Sequence, residues 1–173
     1  MAETLHTIRT RRSTKRFKSD PVPAELIKQI AEAGTYAASG LGKQSPIILA
    51  VTDKEKRDQL SRMNAAVKNV TDDLFYGAPA VLVVLADKTV PTYVYDGSLV
   101  MGNMMLAAEA LGLGHCWIHR AKEEFQTKEG KAFLEALGIT GDYEGIGHLV
   151  LGYPDGEKRP EQPRKENYIY YVD

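Results

Sequence analysis

The chain has 173 residues, of which 43% are hydrophobic and 26% charged, enough apolar material for one domain with its own core. Its 22 lysines and arginines are matched by 23 acidic residues, which excludes a net field able to hold a polyanion such as nucleic acid. Because Cys116 is the only cysteine, an intrachain disulfide and a cysteine-based metal cluster are excluded. No apolar run suits a signal peptide or a membrane span. We therefore expect one cytoplasmic domain over residues 1–173, without a nucleic-acid or membrane partner.

The first predicted elements are two helices. Glu3 to Thr10 fits a short helix with Leu5 and Ile8 facing inward. A second helix begins at Pro23, a residue whose fixed backbone angle suits the first helical position. The apolar residues of this second helix recur at helical spacing and are expected to face the core.

The central part of the chain is predicted to form two buried strands separated by a helix. A loop rich in small residues, 37–46, leads into the apolar run Ile47 to Val51, which is typical of a buried strand. Asp53 is placed to cap a charged helix that ends at about Met63. The run Ala80 to Ala86 is apolar throughout, so we expect helices on both faces of its sheet.

The remaining elements alternate helix and strand up to a long tail. Tyr95 to Leu111 is apolar almost all round, so this helix must be buried centrally or covered by a second subunit. His115 to His119 is a predicted short strand, Lys128 to Leu137 a helix and Ile146 to Leu151 a strand. The tail ends in Tyr168 to Val172, which has strong strand character and is expected to cover its own subunit or a partner.

The segment Arg11 to Arg16, here called the basic segment, combines four cations with two hydroxyl groups. One interpretation is a solvated basic loop. The other is a phosphate site, because an arginine fork can bind phosphate oxygens in pairs while a serine hydroxyl adds a donor. The residues alone leave both interpretations open.

Three other motifs are rejected as sites. Gly42-Lys43 lacks the first glycine and the Ser or Thr of a phosphate loop, and Gly112-Leu113-Gly114 follows a helix where a dinucleotide fingerprint follows a strand. Cys116 lies between two histidines, but strand alternation separates their faces and no carboxylate is near in sequence. We therefore expect neither a metal nor a cysteine nucleophile.

Taken together, five motifs in register resemble the nitroreductase family over nearly the whole chain. They are the block Arg11-Arg12-Ser13-Thr14-Lys15, the loop Ala38 to Ser45, the apolar helix from Asn103 with its Gly112-Leu113-Gly114 end, Cys116-Trp117-Ile118, and Leu151-Gly152-Tyr153-Pro154 with the basic tail Pro163-Arg164-Lys165. The resemblance implies an α+β, three-layer fold with a central mixed sheet flanked by helices, assembled as a homodimer. It also implies FMN as cofactor and NADH or NADPH as electron donor.

The resemblance further implies the residues that contact FMN. The phosphate, ribityl chain and pyrimidine edge are assigned to Arg11, Arg12, Ser13 and Lys15, and the tail cations to Arg164 and Lys165. The partner subunit's loop would supply Ser39, Gly40 and Gln44. The strand after the glycine motif would present Ile118, His119 and Arg120 near flavin N5, and Asn64 would supply an amide to the pyrimidine.

By this resemblance the protein uses NAD(P)H to reduce nitroaromatic, quinone or related acceptors in a ping-pong scheme. The flavin carries the chemistry and no side chain is required as a catalytic acid, with Lys15 supporting negative charge near flavin N1. Gly42 replaces the family's asparagine and Ser45 its proline, and the chain lacks the insertion that covers the pocket in longer members. A more open pocket would follow. The alternative is a non-catalytic flavin-binding sensor or carrier.

Overall fold

The computed structural model describes residues 3–173, so the first two residues of the proposed domain lie outside it. Ten main elements follow one another along these residues: α1 (Glu3–Thr10), α2 (Ala24–Thr35), β1 (Pro46–Val51), α3 (Lys54–Val67), β2 (Ala80–Asp87), α4 (Tyr93–Ala110), β3 (Gly114–Ile118), α5 (Ala121–Gln126), α6 (Lys128–Ala136) and β4 (Tyr143–Gly152). The result is an α+β fold.

The four strands form one sheet in the order β1-β2-β4-β3, and every neighbouring pair is antiparallel. The expected mixed sheet is therefore wrong for the described chain. The reason is visible in the first connection, where Val51 at the end of β1 lies opposite Val81 near the start of β2. Helix α3 leads the chain away and residues 68–79 return it to the same end, so β2 must run antiparallel to β1.

Helices cover both faces of this sheet, which confirms the prediction from the apolar run of β2. Alternate β2 residues Val81, Val83 and Leu85 join a core with α3, α5 and α6. The intervening residues Ala80, Leu82 and Val84 join a second core with α2 and α4. Since side chains alternate across a strand, one strand contributes to both cores and holds the three layers together.

The helix boundaries follow local chemistry, with one helix missed. Asp53 caps α3 as predicted, its carboxylate accepting a hydrogen bond from the Lys56 backbone N–H at 2.9 Å. The helix continues to Val67, beyond the expected end at about Met63. Helix α5 was not predicted, because its six residues are too few to show a helical period and Arg120 before it is not a usual cap.

Three apolar segments are more exposed than the sequence predicts. Leu5 and Ile8 on α1 are each about half exposed and do not face a core. Strand β1 is only half-buried over most of its length, because it lies at the edge of the sheet and one side has no neighbour. The end of the tail, Tyr168 to Val172, forms no strand and is exposed, since strand propensity alone gives no structure without a sheet edge beside it.

Helix α4 divides its apolar residues between its own core and the surface. Met101 and Met104 are fully buried within the protomer, while Tyr95 and Leu99 project from the opposite side with 72% and 50% of their surface exposed. The exposure of Tyr95 and Leu99 agrees with the prediction that this helix is more apolar than one domain can cover. Because Met104 is fully buried in its own protomer, a charged residue at this position would destabilise the core.

Candidate functional site

The basic segment lies beside the outer edge of β3. The Thr14 backbone N–H donates to the His115 carbonyl at 2.8 Å. Beyond it, Phe17 forms a bridge with Pro154, and the Lys18 N–H donates to the Tyr153 carbonyl at 2.9 Å. These backbone bonds fix residues 14–18 against the ends of two strands, so the cations beside them are held by a rigid support.

The cations of the basic segment differ in how far the protein itself neutralises them. Arg12 is engaged, because its guanidinium donates to the Arg9 carbonyl at 2.7 Å and pairs with Glu161 at 3.3 Å. Within residues 3–173, neither Arg11 nor Lys15 forms an ion pair with a carboxylate. The Lys15 ammonium instead lies 5.4 Å from the centre of the Tyr76 ring. The charges of Arg11 and Lys15 are therefore available to bind an anionic ligand.

A cleft of about 510 Å³ opens in front of the basic segment. This basic cleft is lined by residues 12–16, Glu109, 112–114 and 154–159. Its tail cations are Lys158 and Arg159, which the family motif did not indicate. Arg164 and Lys165, which the motif did indicate, lie outside the lining and contact tail residues, Arg164 donating to the Gln162 carbonyl and Lys165 lying over the Tyr168 ring.

The motif misses Lys158 and Arg159 for an identifiable reason. All four cations belong to the same proline-rich tail, and a family motif fixes the order of its residues but not the path of a segment without helix or strand. Lys158 and Arg159 follow the end of β4 by only six and seven residues, so they must lie near the sheet. This short separation is the signal that could have indicated them.

The nearby cations affect the pKa values of two β3 side chains. Burial lowers the pKa of His115 to about 4, and Arg11 and Lys158 add to this by repelling a second positive charge. Burial raises the pKa of the Cys116 thiol, although a hydrogen bond with Ser13 and the charges of Lys15, Arg159 and Arg11 act in the opposite direction. Ser13 and Lys15 therefore lie on the Cys116 side of the strand. A protonated thiol here is a poor nucleophile.

Three other predicted contact residues lie at and just after the C-terminal end of β3. Ile118 is buried, His119 is exposed and Arg120 is partly exposed. Arg120 has φ of 81°, a left-handed conformation that is uncommon for any residue with a side chain. A backbone held in this form presents its polar groups in a direction that a regular strand does not allow.

Asn64 from α3 holds this strained turn. Its side-chain NH₂ donates to the His119 carbonyl at 2.9 Å and to Glu124 Oε2 at 3.0 Å. Its oxygen accepts from Arg120 Nη2 at 2.9 Å and Nε at 3.3 Å. Asn64 is fully buried and its bonding capacity is used within the protein, so the amide that was assigned to the pyrimidine binds the protein's own loop in this structure.

The remaining predicted residues lie in the loop 39–45, here called the anchored loop. Its anchor is Asp96 at the start of α4: Oδ1 accepts from the Gly40 N–H at 3.0 Å, and Oδ2 accepts from the Ser45 hydroxyl at 2.9 Å and the Thr92 hydroxyl at 3.0 Å. Within the loop, the Gln44 N–H donates to the Ser39 hydroxyl at 3.1 Å. These bonds give the loop one conformation.

Asp96 itself was not predicted from the sequence. Burial raises the pKa of its carboxyl group, but the bonds from Gly40, Ser45 and Thr92 outweigh this and hold the pKa below the ordinary value. Asp96 is therefore an ionised, buried anchor. An acidic residue in the first turn of a helix is common, and only the tertiary structure shows the contact of Asp96 with a loop about fifty residues earlier.

The anchored loop and the basic cleft lie at opposite edges of the sheet. The loop leads directly into β1 at one edge, and the basic segment lies beside β3 at the other. Three strand spacings separate these edges, a distance of about 14 Å. The structure thus brings Arg11, Ser13, Lys15 and the residues after β3 along one strand, but it does not bring Ser39, Gly40 or Gln44 to them within one protomer.

Two further observations concern the described part of the chain. Residues 3–173 contain no group of three or more His, Cys, Asp or Glu side chains arranged to hold a metal ion. Over the same residues, no helix combines the length and apolarity needed to cross a membrane.

These features define a class, a three-layer α+β domain with uncompensated cations in a cleft at one edge of its sheet. A sequence model of the nitroreductase family matches residues 8–69 and 62–153. The chain belongs to the nitroreductase family, which confirms the resemblance that the five motifs indicated.

Individual relatives agree with this assignment. The chain is 32% identical over 163 residues to a protein of Archaeoglobus fulgidus named as an NADH dehydrogenase/NAD(P)H nitroreductase, covering 91% of this chain and 89% of that protein. It is 30% identical over 176 residues to the NADPH-flavin oxidoreductase of Vibrio harveyi, covering 94% and 71%. The solved structure of a Bacteroides fragilis nitroreductase with bound FMN is similar over the full length of both chains, with a TM-score of 0.92 and 28% identity.

Proposed function

We propose that this protein is an FMN-dependent oxidoreductase that takes electrons from NADH or NADPH and passes them to nitroaromatic, quinone or related acceptors. Three facts support the class of activity: the family, the relatives named as NAD(P)H nitroreductase and NADPH-flavin oxidoreductase, and the FMN in a structure of the same fold. The observation that carries the proposal in this chain is the pair of cations, Arg11 and Lys15, that no carboxylate within residues 3–173 neutralises.

The residues of the basic cleft fit the phosphate end of FMN. A phosphate monoester carries close to two negative charges. Ser13 and Lys15 of the cleft lining offer a hydroxyl and a cation, and Arg11 precedes the lining with its charge near Cys116. Arg159 adds a further cation from the tail, whereas Lys158 is paired with Glu109 in the same cleft. Arg12 is a weaker candidate, because its guanidinium is already bound to Glu161 and to the carbonyls of Arg9 and Arg11.

The protein's contribution to the reaction is electrostatic and positional. When bound, FMN would supply the redox chemistry by accepting a hydride and passing the electrons on. Lys15 would place a positive charge where the reduced ring gains negative charge, and the turn at His119 and Arg120 would direct backbone groups at the ring. The donor and the acceptor would use the same open face in turn, which is the ping-pong scheme.

We further propose that the working form is a homodimer in which the anchored loop of one protomer completes the flavin site of the other. The separation of loop and cleft supports this, because within one protomer they lie beyond opposite edges of the sheet. A groove of about 890 Å³ between α2 and β1, the exposed edge of β1 and the exposed tail residues Tyr168 to Val172 provide apolar surface for a second copy. Exposed apolar surface of this extent is typical of an interface.

The test begins with the wild-type protein reconstituted with FMN. An oxidised flavin absorbs at about 450 nm, so retention after dialysis is read from the spectrum. Under anaerobic conditions NADH or NADPH should bleach this band, and a nitroaromatic or a quinone should restore it. Retention without bleaching by either nucleotide would favour the non-catalytic flavin-binding module.

Arg11→Ala, with Arg9→Ala as its matched control, tests the phosphate assignment. Both residues are arginines near the end of α1, but the Arg9 side chain is exposed, whereas Arg11 is partly buried and its charge acts on His115 and Cys116 of β3. Loss of a charge-assisted bond of about 1.5–3 kcal/mol should weaken FMN binding by roughly 10- to 100-fold in Arg11→Ala and leave Arg9→Ala unchanged. Full flavin occupancy of Arg11→Ala after dialysis would contradict the assignment.

A further inference from the structure

A buried Glu–His pair lies directly beneath the strained turn at Arg120. Glu124 of α5 and His148 of β4 are both fully buried, with Glu124 Oε2 3.1 Å from His148 Nε2. The rings of Phe75 and Phe125 enclose the histidine, with centroids 5.1 and 6.1 Å from the imidazole centroid. The pair is therefore cut off from solvent on the side of the apolar core.

This pair is poorly satisfied for a stabilising element. Glu124 Oε1 and His148 Nδ1 have no hydrogen-bonding partner among residues 3–173, and the contact between the two side chains lacks the alignment of a hydrogen bond. Buried ion pairs often contribute no more to stability than apolar side chains of the same size, and unpaired polar atoms reduce their contribution further. Stability alone does not explain why polar groups occupy these positions.

The geometry gives the pair another use, because Asn64 connects it to the turn. The same Glu124 oxygen that touches His148 accepts one Asn64 amide hydrogen, and this orients the amide so that its second hydrogen meets the His119 carbonyl. The Asn64 oxygen is then directed at Arg120 and receives both of its guanidinium bonds. Without the Glu124 acceptor, the Asn64 amide would no longer be held in this orientation.

We propose that Glu124, held against His148, is a positioning residue of the flavin site that acts through Asn64 on His119 and Arg120. The proposal rests on the proposed function, because it assumes that this turn faces the flavin. A left-handed arginine persists only where its surroundings fix it, and the side-chain bonds of Arg120 go to Asn64, which is in turn bound to Glu124. Glu124 is thus assigned a role that touches neither FMN nor substrate.

The first experiment is a double-mutant cycle on FMN affinity. Glu124→Leu, Asn64→Leu and the double variant are prepared as apoproteins, and the FMN dissociation constant is measured by flavin fluorescence. Each single variant should raise the dissociation constant about tenfold. The double variant should raise it by about the same factor, because both substitutions break the same chain of hydrogen bonds. Glu124→Gln keeps an acceptor for Asn64 and should restore wild-type affinity.

The control is Glu144→Gln, which alters another buried glutamate, one that binds Tyr93 and Lys122 and has no hydrogen bond to Asn64 or Arg120. It should leave FMN affinity unchanged. Apoprotein melting temperatures are recorded for every variant, so that a loss of affinity is separated from a loss of fold. The proposal would be overturned if the losses of FMN affinity in the two single variants added up in the double variant. An equal loss of affinity in Glu144→Gln would also overturn it.

Arg120→Gly tests the same idea where folding is not at risk. Glycine accepts a φ of 81° without strain, and this relief offsets part of the loss of the two bonds to Asn64, so the apoprotein should still fold. FMN affinity should fall about tenfold, and a wild-type affinity would overturn the proposal whatever Glu124→Leu does. If the wild-type protein binds no FMN, the proposed function itself has failed, whereas normal wild-type binding with an unaffected Glu124→Leu removes only this inference.

Discussion

Asp96 is a single carboxylate on which the anchored loop depends, and we predict that its removal releases the loop. Asp96→Ala deletes the acceptor of three bonds, from Gly40, Ser45 and Thr92, and should lower the free energy of unfolding by roughly 1.5–3 kcal/mol. Asp96→Asn keeps an oxygen for the Gly40 N–H and should lose clearly less. Urea denaturation measures both. Equal stability of Asp96→Ala and wild type would show that the loop is held by other contacts.

His115 makes stability depend on pH. In the unfolded chain its pKa is the ordinary 6.5, whereas in the folded protein burial lowers the pKa to about 4. Between these values only the unfolded state binds the proton, so stability present above pH 6.5 is lost as the pH falls towards 4, by about 3 kcal/mol.

The measurement for His115 is urea denaturation at a series of pH values from neutral to about 4. His115→Phe removes the titrating group but fills the site, so its stability should fall less steeply than that of wild type over this range. The carboxylate contributions are common to both proteins and cancel in the comparison. Parallel curves for the two proteins would show that His115 titrates normally in the folded state.

The residues that the sequence identifies best are those whose role is local. Arg11, Ser13 and Lys15 lie close together in the chain, so their charges and hydroxyl suggest an anion site from the sequence alone. Asn64, Asp96 and Glu124 act on segments up to about sixty residues away, so nothing in their own neighbourhood shows the contact. Asn64 was predicted to bond to the ligand, whereas its amide is used by the protein.

Among the elements, α4 gives the most direct test of assembly. Leu99 projects from its outer side with half of its surface exposed, and in a homodimer through this helix it would be covered. Leu99→Glu should therefore yield a monomer in size-exclusion chromatography and a protein that loses FMN on dialysis. Leu137→Glu is the control, since Leu137 at the end of α6 is similarly exposed and lies away from α4. A dimeric, flavin-bound Leu99→Glu would exclude this helix as the interface.

Prediction at the level of elements succeeded where a long segment is apolar throughout. Strand β2 and helix α4 are both apolar enough that their type and burial follow from the sequence. It failed where neighbours decide, as at β1, whose apolar run is that of a central strand although the sheet order leaves it at an edge. The aromatic tail is the same case, because its strand propensity has no partner within its own protomer.

At the scale of the whole molecule, the sheet order determines which parts can act together. The basic segment and the turn at Arg120 lie along one strand, whereas the anchored loop lies beyond the far strand of the same sheet. The family motifs give these three parts in chain order and imply that they share a flavin. Only the antiparallel order β1-β2-β4-β3 shows how far apart they are in one protomer, because chain order does not determine strand order.

This separation has a genetic consequence. If each flavin site takes its basic cleft from one protomer and its loop from the other, a chain with Arg11→Ala and a chain with Asp96→Ala are defective in different halves. Mixed dimers would contain one site with both defects and one site with neither. Under conditions in which each variant alone has lost its NAD(P)H-dependent reductase activity, the two proteins co-expressed or refolded together should regain about a quarter of the wild-type activity, as random pairing into dimers requires. If the mixture stays as inactive as its parents, each protomer builds its site alone.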